Sequence, residues 1–465
     1  MGQDSAIPQA GIEALSSEVA GHVLLPDSTG YDAARAVWNG RFDYRPAVVI
    51  RCSRAADVVR AVNFARQHRL PLSVKGGGHD YAGNTVGEDS LLVDLSPMKA
   101  VVVDAQNRRA TAEGGATWAD VDAATQAEGL ATPGGTVSTV GIAGFTLGGG
   151  AGWLTRKFGL AADNLLAAEV VTATGEVVRA SSHDNPELFW ALRGGSGNFG
   201  IVTRFEYRLH PVGPEILAGQ VLYPVERAGE LLRWYRDFMK TAPDELGVYA
   251  FFLRIPPLPD FPETLHGKVV LDFVVAYAGP PEEAEPHLAP FRQQGTPLVD
   301  SVGPVPYTGL QQAFDDAMGK GNRWYSRYLQ LNEVSDEFID TLVNHLEPFP
   351  GPFTTVYMGG QGGAPSRIAP EATAYPHRHV ADALHIFPGW ADPAEDEAIM
   401  GWARELYGRL APFAEGGCYV NMLAEDELER LPAAYRGNYA KLAQLKKRWD
   451  PDNLFRNNRN IRPAD

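Results

Sequence analysis

The stretch Lys75-Gly76-Gly77-Gly78-His79-Asp80-Tyr81-Ala82-Gly83 (KGGGHDYAG, residues 75–83) decides how this chain is read. Three glycines let the backbone pass close to a flat or anionic group, and the turn then presents one imidazole. The residues before it set the context. AVVIR at 47–51 reads as a strand, Ser53 can cap a helix with the apolar stripe Val58, Val59, Val62 and Ala65, and LPLSV at 70–74 reads as a second strand. A strand, helix, strand unit implies a parallel pair, and the glycines fall at the carboxyl end of a strand, where α/β architectures place ligands.

Downstream, short strands are expected at 91–95 and 100–104, then a helix capped by Thr117, with Asp120 at its third position and Gly129 as its stop. Residues 137–212 form a second glycine-rich module. It holds a long loop (VGIAGFTLGGGAG, 140–152), RKFGLAADN (156–164), a strand pair around 168–179, a helix at 186–192 and a strand at 200–209. The three adjacent glycines, followed by Arg156 and Asp163-Asn164, suit a diphosphate cradled by backbone N–H groups. After Pro211 the texture changes to strands at 246–254 and 268–276 and helical patterns at 224–240, 281–293 and 336–347, so a domain boundary is drawn near 212. The helix NYAKLAQLKKRW (438–449), stopped by Asp450 and Pro451, is expected to pack back onto the first domain.

Size and composition narrow the classes. A chain of 465 residues exceeds one core, and 45% hydrophobic with 21% charged residues is ordinary for a globular protein. The 41 Lys and Arg against 57 Asp and Glu give a net charge of -16, with no basic stripe, so neither nucleic acid nor an anionic membrane is an expected partner. The start, MGQDSAIPQAGIEALSSEVAG, has no basic, apolar export pattern, and cytoplasmic residence is the expectation. Cys52 and Cys418 are read as buried small hydrophobes. Gly195, Gly197 and Gly200 match G-x-G-x-x-G, but a helical segment (PELFWALR) precedes them and a strand follows, the inverse of a dinucleotide site. His377, His379 and His385 alternate as on a strand, yet no carboxylate pattern completes a ligand set, and no metal is expected.

Five segments in order carry a resemblance: RPAVVIRC (45–52), KGGGHDYAG (75–83), VGIAGFTLGGGAGWLTRKFGLAADN (140–164), RGGSGNFG (193–200) and YRGNYAKLAQLKKRWDPDNLF (435–455). Together they resemble the berberine bridge enzyme-like branch of the vanillyl-alcohol oxidase flavoproteins. The resemblance implies an α+β fold: a PCMH-type FAD-binding domain at 1–212, a cap domain at 213–414 with an antiparallel sheet covered by helices, and a segment at 415–465 returning to the FAD-binding domain. It implies FAD bonded covalently through its 8α carbon to His79. Val137 stands where many members carry a second, cysteinyl link, so a single bond is implied. Lys75 replaces a common arginine, and Val140 holds the place of the family's oxygen gatekeeper, where valine goes with oxidases. Further flavin contacts are implied at Gly76, Gly77, Gly78, Asp80, Gly83, Gly141, Gly144, Gly148, Gly149, Gly150, Gly152, Asn164, Gly200, Ile201, Val202, Tyr419, Asn421 and Asn458.

Met422 occupies the place of the family's catalytic tyrosine, so the proton acceptor is sought elsewhere. His385, five residues before Trp390, matches an inward strand position, and an imidazole with a pKa near ~6.5 suits general-base work. Tyr81 matches an active-site tyrosine. The expected reaction removes hydride from a small-molecule alcohol or amine and reduces O2 to H2O2. The alternatives are a natural-product tailoring enzyme performing oxidative cyclisation or dehydrogenation, with Trp324, Tyr325 and Tyr328 offered to a flat substrate, or a dehydrogenase with another electron acceptor.

Overall fold

Short, largely apolar runs buried on both faces make the strands around the first glycine turn. In the computed structural model, which describes residues 8–259, 261–360 and 362–465, Val48–Arg51, Leu91–Asp94 and Leu72–Lys75 run parallel, with His22–Leu24 antiparallel at one edge. Leu91–Asp94 lies between the other two, so the parallel pair expected from the strand, helix, strand unit is split by a later strand. LLVD is buried at every position, and it takes the place where both of its ladders are satisfied. The helix Ala55–His68 covers this sheet through Val58, Ala61, Val62 and Ala65. Its N-cap is Arg54, not Ser53. The Asp57 carboxylate instead accepts from the Ser53 N–H (2.9 Å) and hydroxyl (3.0 Å) and from the N–H groups of Ala20 and Gly21.

A second, five-stranded antiparallel sheet runs in the order Val101–Asp104, Arg109–Glu113, Ile201–Arg208, Leu165–Val171, Val177–Ser181. Thr117 and Asp120 close a reciprocal capping box on the helix Trp118–Gln126, as their spacing predicts. The stretch expected as one long loop contains the helix Ile142–Leu147, which buries Ile142, Thr146 and Leu147 between its flanking glycines.

The middle of the chain builds an eight-stranded antiparallel sheet. Its interior strands run in the order Glu215–Pro224, Val269–Tyr277, Leu246–Arg254, Thr355–Gly359 and Asp382–Phe387, with Arg327–Leu331 at one edge. Alternation along each strand gives it two buried faces. Val248, Ala250, Phe252, Val356, Met358, Leu384 and Ile386 pack under the helices Ala228–Met239, Asp336–Asn344 and Asp396–Leu410. Tyr249, Phe251, Tyr357, Ala383 and Phe387 face the other way, toward the glycine loops.

Two contacts tie these parts together. At Gly77 and Gly141 the two glycine loops meet backbone to backbone: a Cβ on Gly77 would lie 2.4 Å from the Gly141 nitrogen, and one on Gly141 would lie 2.3 Å from the Gly77 nitrogen. The tail helix Tyr439–Trp449 returns to the first part through Leu442 and Leu445, which join Leu188 and Phe199 in one core. Its Lys446 is fully buried and donates to the Asp450 carboxylate (2.6 Å) and to the carbonyls of Asn198 and Phe455 (2.8 Å each). Among the described residues, no helix is long and apolar enough to cross a membrane.

These contacts set two expectations. Lys446→Met leaves Asp450 buried without its cation and should cost about 3–5 kcal/mol, read as a lowered melting temperature. Gly77→Ala should cost about 1–3 kcal/mol or more by forcing the loops apart. Gly144→Ala is the control, because nothing lies within 4 Å of its Cβ position; equal melting temperatures for the two variants would refute the contact's importance.

Candidate active site

A cavity separates the glycine loops from the inner face of the eight-stranded sheet. On the loop side it is bounded by Gly76, Gly77, Gly78, His79, Asp80, Tyr81, Val137, Val140, Gly141, Gly144, Gly200, Ile201, Val202, Tyr419, Asn421 and Asn458. Residues more than 370 positions apart therefore share one wall, because the tail packs back beside the first turn. Asp80 and Arg459 form an ion pair there (2.6 Å), and Asn457 reaches the Ser73 hydroxyl (2.8 Å).

His79 stands at this wall in a fixed pose. Its Nε2 meets the Thr139 hydroxyl at 3.0 Å, and its ring stacks on Trp38 with centroids 4.9 Å apart. Trp38 stacks in turn on Trp324 (4.9 Å), and Trp324 on Phe387 (5.0 Å), so a column of rings runs from His79 to the sheet. Among the described residues no group engages Nδ1 of His79. Desolvation, with a further push from Lys320, holds the imidazole down to about 3, so its neutral form persists at neutral pH. Neither Thr139 nor Trp38 was marked by sequence reasoning, since neither belongs to a spacing pattern around the glycines.

The two glycine modules differ in where their N–H groups point. For Gly76, Gly77, Gly78, His79 and Asp80, no acceptor is found among the described residues, and Gly78 adopts φ +73. A run of open backbone donors along a cavity suits an electron-rich group, which fits the flavin nucleotide implied by the motifs. The diphosphate cradle expected at Gly148, Gly149 and Gly150 is corrected. Gly148 and Gly149 donate to the carbonyls of Gly144 and Thr146, and Gly150 donates to the Tyr419 hydroxyl (2.8 Å). Gly152 donates to Thr155 Oγ1, Arg156 reaches the Ala242 carbonyl, and Asp163 is held by Arg378. Asn164 bonds the Phe158 and Leu160 carbonyls and His210. These residues build the turn and do not border the cavity.

Three further expectations are relocated. Lys75 turns inward, donating to the Ala34 carbonyl and lying 3.5 Å from Asp94. Gly83, at φ +74, makes room for the Phe42 ring. His385 faces the correct side of its strand but sits behind the cavity wall, fully buried, with Nδ1 on the Tyr357 hydroxyl (2.8 Å) and Nε2 on the Ser326 hydroxyl (2.9 Å). Both ring nitrogens are engaged, so it cannot take a proton from a substrate directly. Burial also holds it down to about 3. His377 bonds the Ala434 carbonyl, and the exposed His379 points elsewhere, so the three histidines do not converge.

Phenols dominate the remaining wall. Tyr81, Tyr249, Tyr328, Tyr357 and Tyr419 all reach the cavity, and burial raises each of them. Tyr419, pushed up to about 12, accepts from the N–H of Gly150 and from Asn421 Nδ2 (2.9 Å), which leaves its own O–H for the cavity. Of the aromatic trio offered to a flat substrate only Tyr328 lines the cavity; Trp324 belongs to the ring column, and Tyr325 bonds Asp426.

Comparison with known proteins agrees with this arrangement. Residues 46–181 match the model of an FAD binding domain, and residues 418–462 match the model described as berberine and berberine like. (R)-6-hydroxynicotine oxidase of Paenarthrobacter nicotinovorans is 31% identical over 466 residues, spanning 96% of this chain and 97% of that protein. Among solved structures, 6-hydroxy-D-nicotine oxidase from Arthrobacter nicotinovorans superposes with a TM-score of 0.87 at 29% identity, over 96% of this chain and 98% of that one. Glucooligosaccharide oxidase from Acremonium strictum, described with 6-S-cysteinyl, 8α-N1-histidyl FAD, shares the fold at 24% identity and a TM-score of 0.86, over 98% and 99% of the two chains. Both matched models fall on the segments that meet at the cavity, and the full-length likeness spans the sheet above it, so the chain belongs to the berberine bridge enzyme-like family of FAD-linked oxidoreductases.

Proposed function

We propose that this enzyme is an oxidase that carries FAD on one covalent bond from Nδ1 of His79 and oxidises a small amine or alcohol. The observation that carries the reading is the state of His79: a neutral ring at the cavity wall, oriented by Thr139 and Trp38, whose Nδ1 is engaged by no group among the described residues. The histidyl link described for the Acremonium strictum protein supports it. That protein's cysteinyl link has no counterpart here, because Val137 lines the cavity and both cysteines, Cys52 and Cys418, are buried elsewhere. Residues 1–212 with 415–465 would hold the cofactor, and 213–414 would roof the substrate.

When bound, FAD supplies a hydride acceptor at the cavity and passes its electrons on to O2, giving H2O2. The chain's own residues do the rest. The open N–H groups of 76–80 would hold electron-rich atoms of the flavin nucleotide, and Val140 borders the same wall, in the gatekeeper place that by family resemblance favours oxygen. Tyr81 borders the cavity from the glycine-loop side and Tyr357 from the sheet side. His385 is set aside as the direct base. Tyr81 and Tyr357 both stay protonated, and Asp80 is held by Arg459, so no resting base faces the substrate among the described lining residues. A neutral amine suits such a site better than an alcohol, since its nitrogen lone pair drives hydride loss without prior deprotonation. The 6-hydroxynicotine oxidase activity named for the relative of 31% identity supports the amine class.

The experiment pairs His79→Ala with oxygen consumption. Acid-precipitated wild-type protein should stay yellow and the variant should not, while an oxygen electrode should register turnover of cyclic amines ahead of benzylic alcohols. Colour retained by the variant, or no oxygen uptake with either class, would overturn the reading.

A pH expectation follows from the depressed His79. Its neutral form is complete well above about 3, so the rate of covalent attachment to apoprotein should stay flat between about pH 5 and 8, where an ordinary imidazole titrates. In-gel flavin fluorescence after timed incubation with FAD measures it, and a rise centred near ~6.5 would contradict the assignment.

A further inference from the structure

Ser326, His385 and Tyr357 form a chain of hydrogen bonds whose direction is fixed from one end. The Met422 carbonyl can only accept, so the Ser326 hydroxyl, 2.8 Å away, gives it its single proton. Ser326 Oγ then meets Nε2 of His385 at 2.9 Å as an acceptor, which puts the imidazole hydrogen on Nε2. A neutral imidazole carries one N–H, so Nδ1 is bare and accepts the Tyr357 hydroxyl at 2.8 Å. The rings of Tyr81, Tyr328, Tyr357 and Phe387 surround His385, and among the described residues no charged group bonds it. Tyr357 and His385 are direct partners in the ladder between Thr355–Gly359 and Asp382–Phe387, which holds the two side chains on one face.

The consequence lies on the cavity side. The phenol proton of Tyr357 is directed away from the cavity, and only the lone pairs of its oxygen remain for a ligand. We infer that Tyr357 is locked as a hydrogen-bond acceptor by the positioning residues His385 and Ser326, and that the site selects substrates presenting an N–H or O–H there. Primary and secondary amines and alcohols meet that demand at the reacting group; tertiary amines and ethers meet it only through an N–H or O–H elsewhere in the molecule. The inference rests on the reading that this cavity is where substrate is oxidised, and it does not depend on the bond at His79.

Neutron diffraction from deuterated holoenzyme crystals tests the chain directly. Deuterium is expected on Nε2 of His385, on the Tyr357 oxygen directed at Nδ1, and on Ser326 directed at the Met422 carbonyl. Deuterium on Nδ1 of His385 would overturn the proposal. Selectivity is tested by titrating holoenzyme with phenol and with anisole, following the flavin absorbance. The pair differs in the donor, so phenol should bind about tenfold tighter. Ser326→Ala should bring the ratio toward one and Ser326→Thr should keep it, a pattern that a merely structural Ser326 would not produce. Phenol binding no better than anisole in the wild type, or an undiminished ratio in Ser326→Ala, sinks the assignment; because the titration needs no turnover and no covalent flavin, it can fail while the proposed function stands.

Discussion

The approach of Gly77 to Gly141, where two backbones touch and no side-chain carbon fits, underlies the rest of the site. It seats the turn after the strand Leu72–Lys75 against the loop that opens the helix Ile142–Leu147, and the N–H groups of 76–80 find no acceptor among the described residues. The second triple glycine uses the same residue type for an opposite end. There the N–H groups close onto a helix end and the Tyr419 hydroxyl, which fixes that phenol's orientation. Glycine permits close approach in both loops, but what each loop can bind is decided by where its donors are already directed.

The sheet above supplies the complementary wall through strand alternation. Phe251, Tyr357, His385 and Tyr328 are successive cross-strand neighbours, so they form one row on the cavity face. Neighbours in such a row lie within reach of one another, and a histidine placed among phenols bonds them before any ligand does. His385 thus acts on the site through Tyr357. The ring column from Phe387 through Trp324 and Trp38 to His79 links this wall to the glycine turn, joining the inner face of the sheet to His79.

What could be read in the sequence was what short-range physics determines. The capping box of Thr117 and Asp120, the alternation of Ile201–Arg208 and the helical periodicity of Tyr439–Trp449 all depend on neighbours within a few residues, and each stands where its pattern put it. Strand order was not legible, because nothing local says that Leu91–Asp94 enters between two earlier strands. Ser53 does not cap the helix because Asp57 engages it while gathering donors from Ala20 and Gly21, more than 35 residues away, which no local pattern reveals. The motif resemblance found the face on which His385 lies, yet its role depended on Ser326 and Tyr357, 59 and 28 residues distant. The glycine runs look alike as text, and only their hydrogen bonds distinguish the turn with open donors from the one whose donors are used within the fold.

Burial moves the titrating rings at the cavity the same way, toward the neutral form. His79 and His385 fall to about 3, Tyr419 rises to about 12, and Tyr81 and Tyr357 rise as well. Holding a full charge on any of these rings would oppose the desolvation that produced the shifts. An alcohol that had to shed its proton before hydride transfer would require such a charge, as imidazolium at His385 or as phenolate at a tyrosine. An amine that enters neutral avoids it, because the positive charge appears on the substrate as hydride leaves, beside the lone pairs that Tyr357 keeps turned toward the cavity. The hydrogen-bond direction along Ser326, His385 and Tyr357 follows from the same neutrality of the buried rings, and both favour the same class of chemistry.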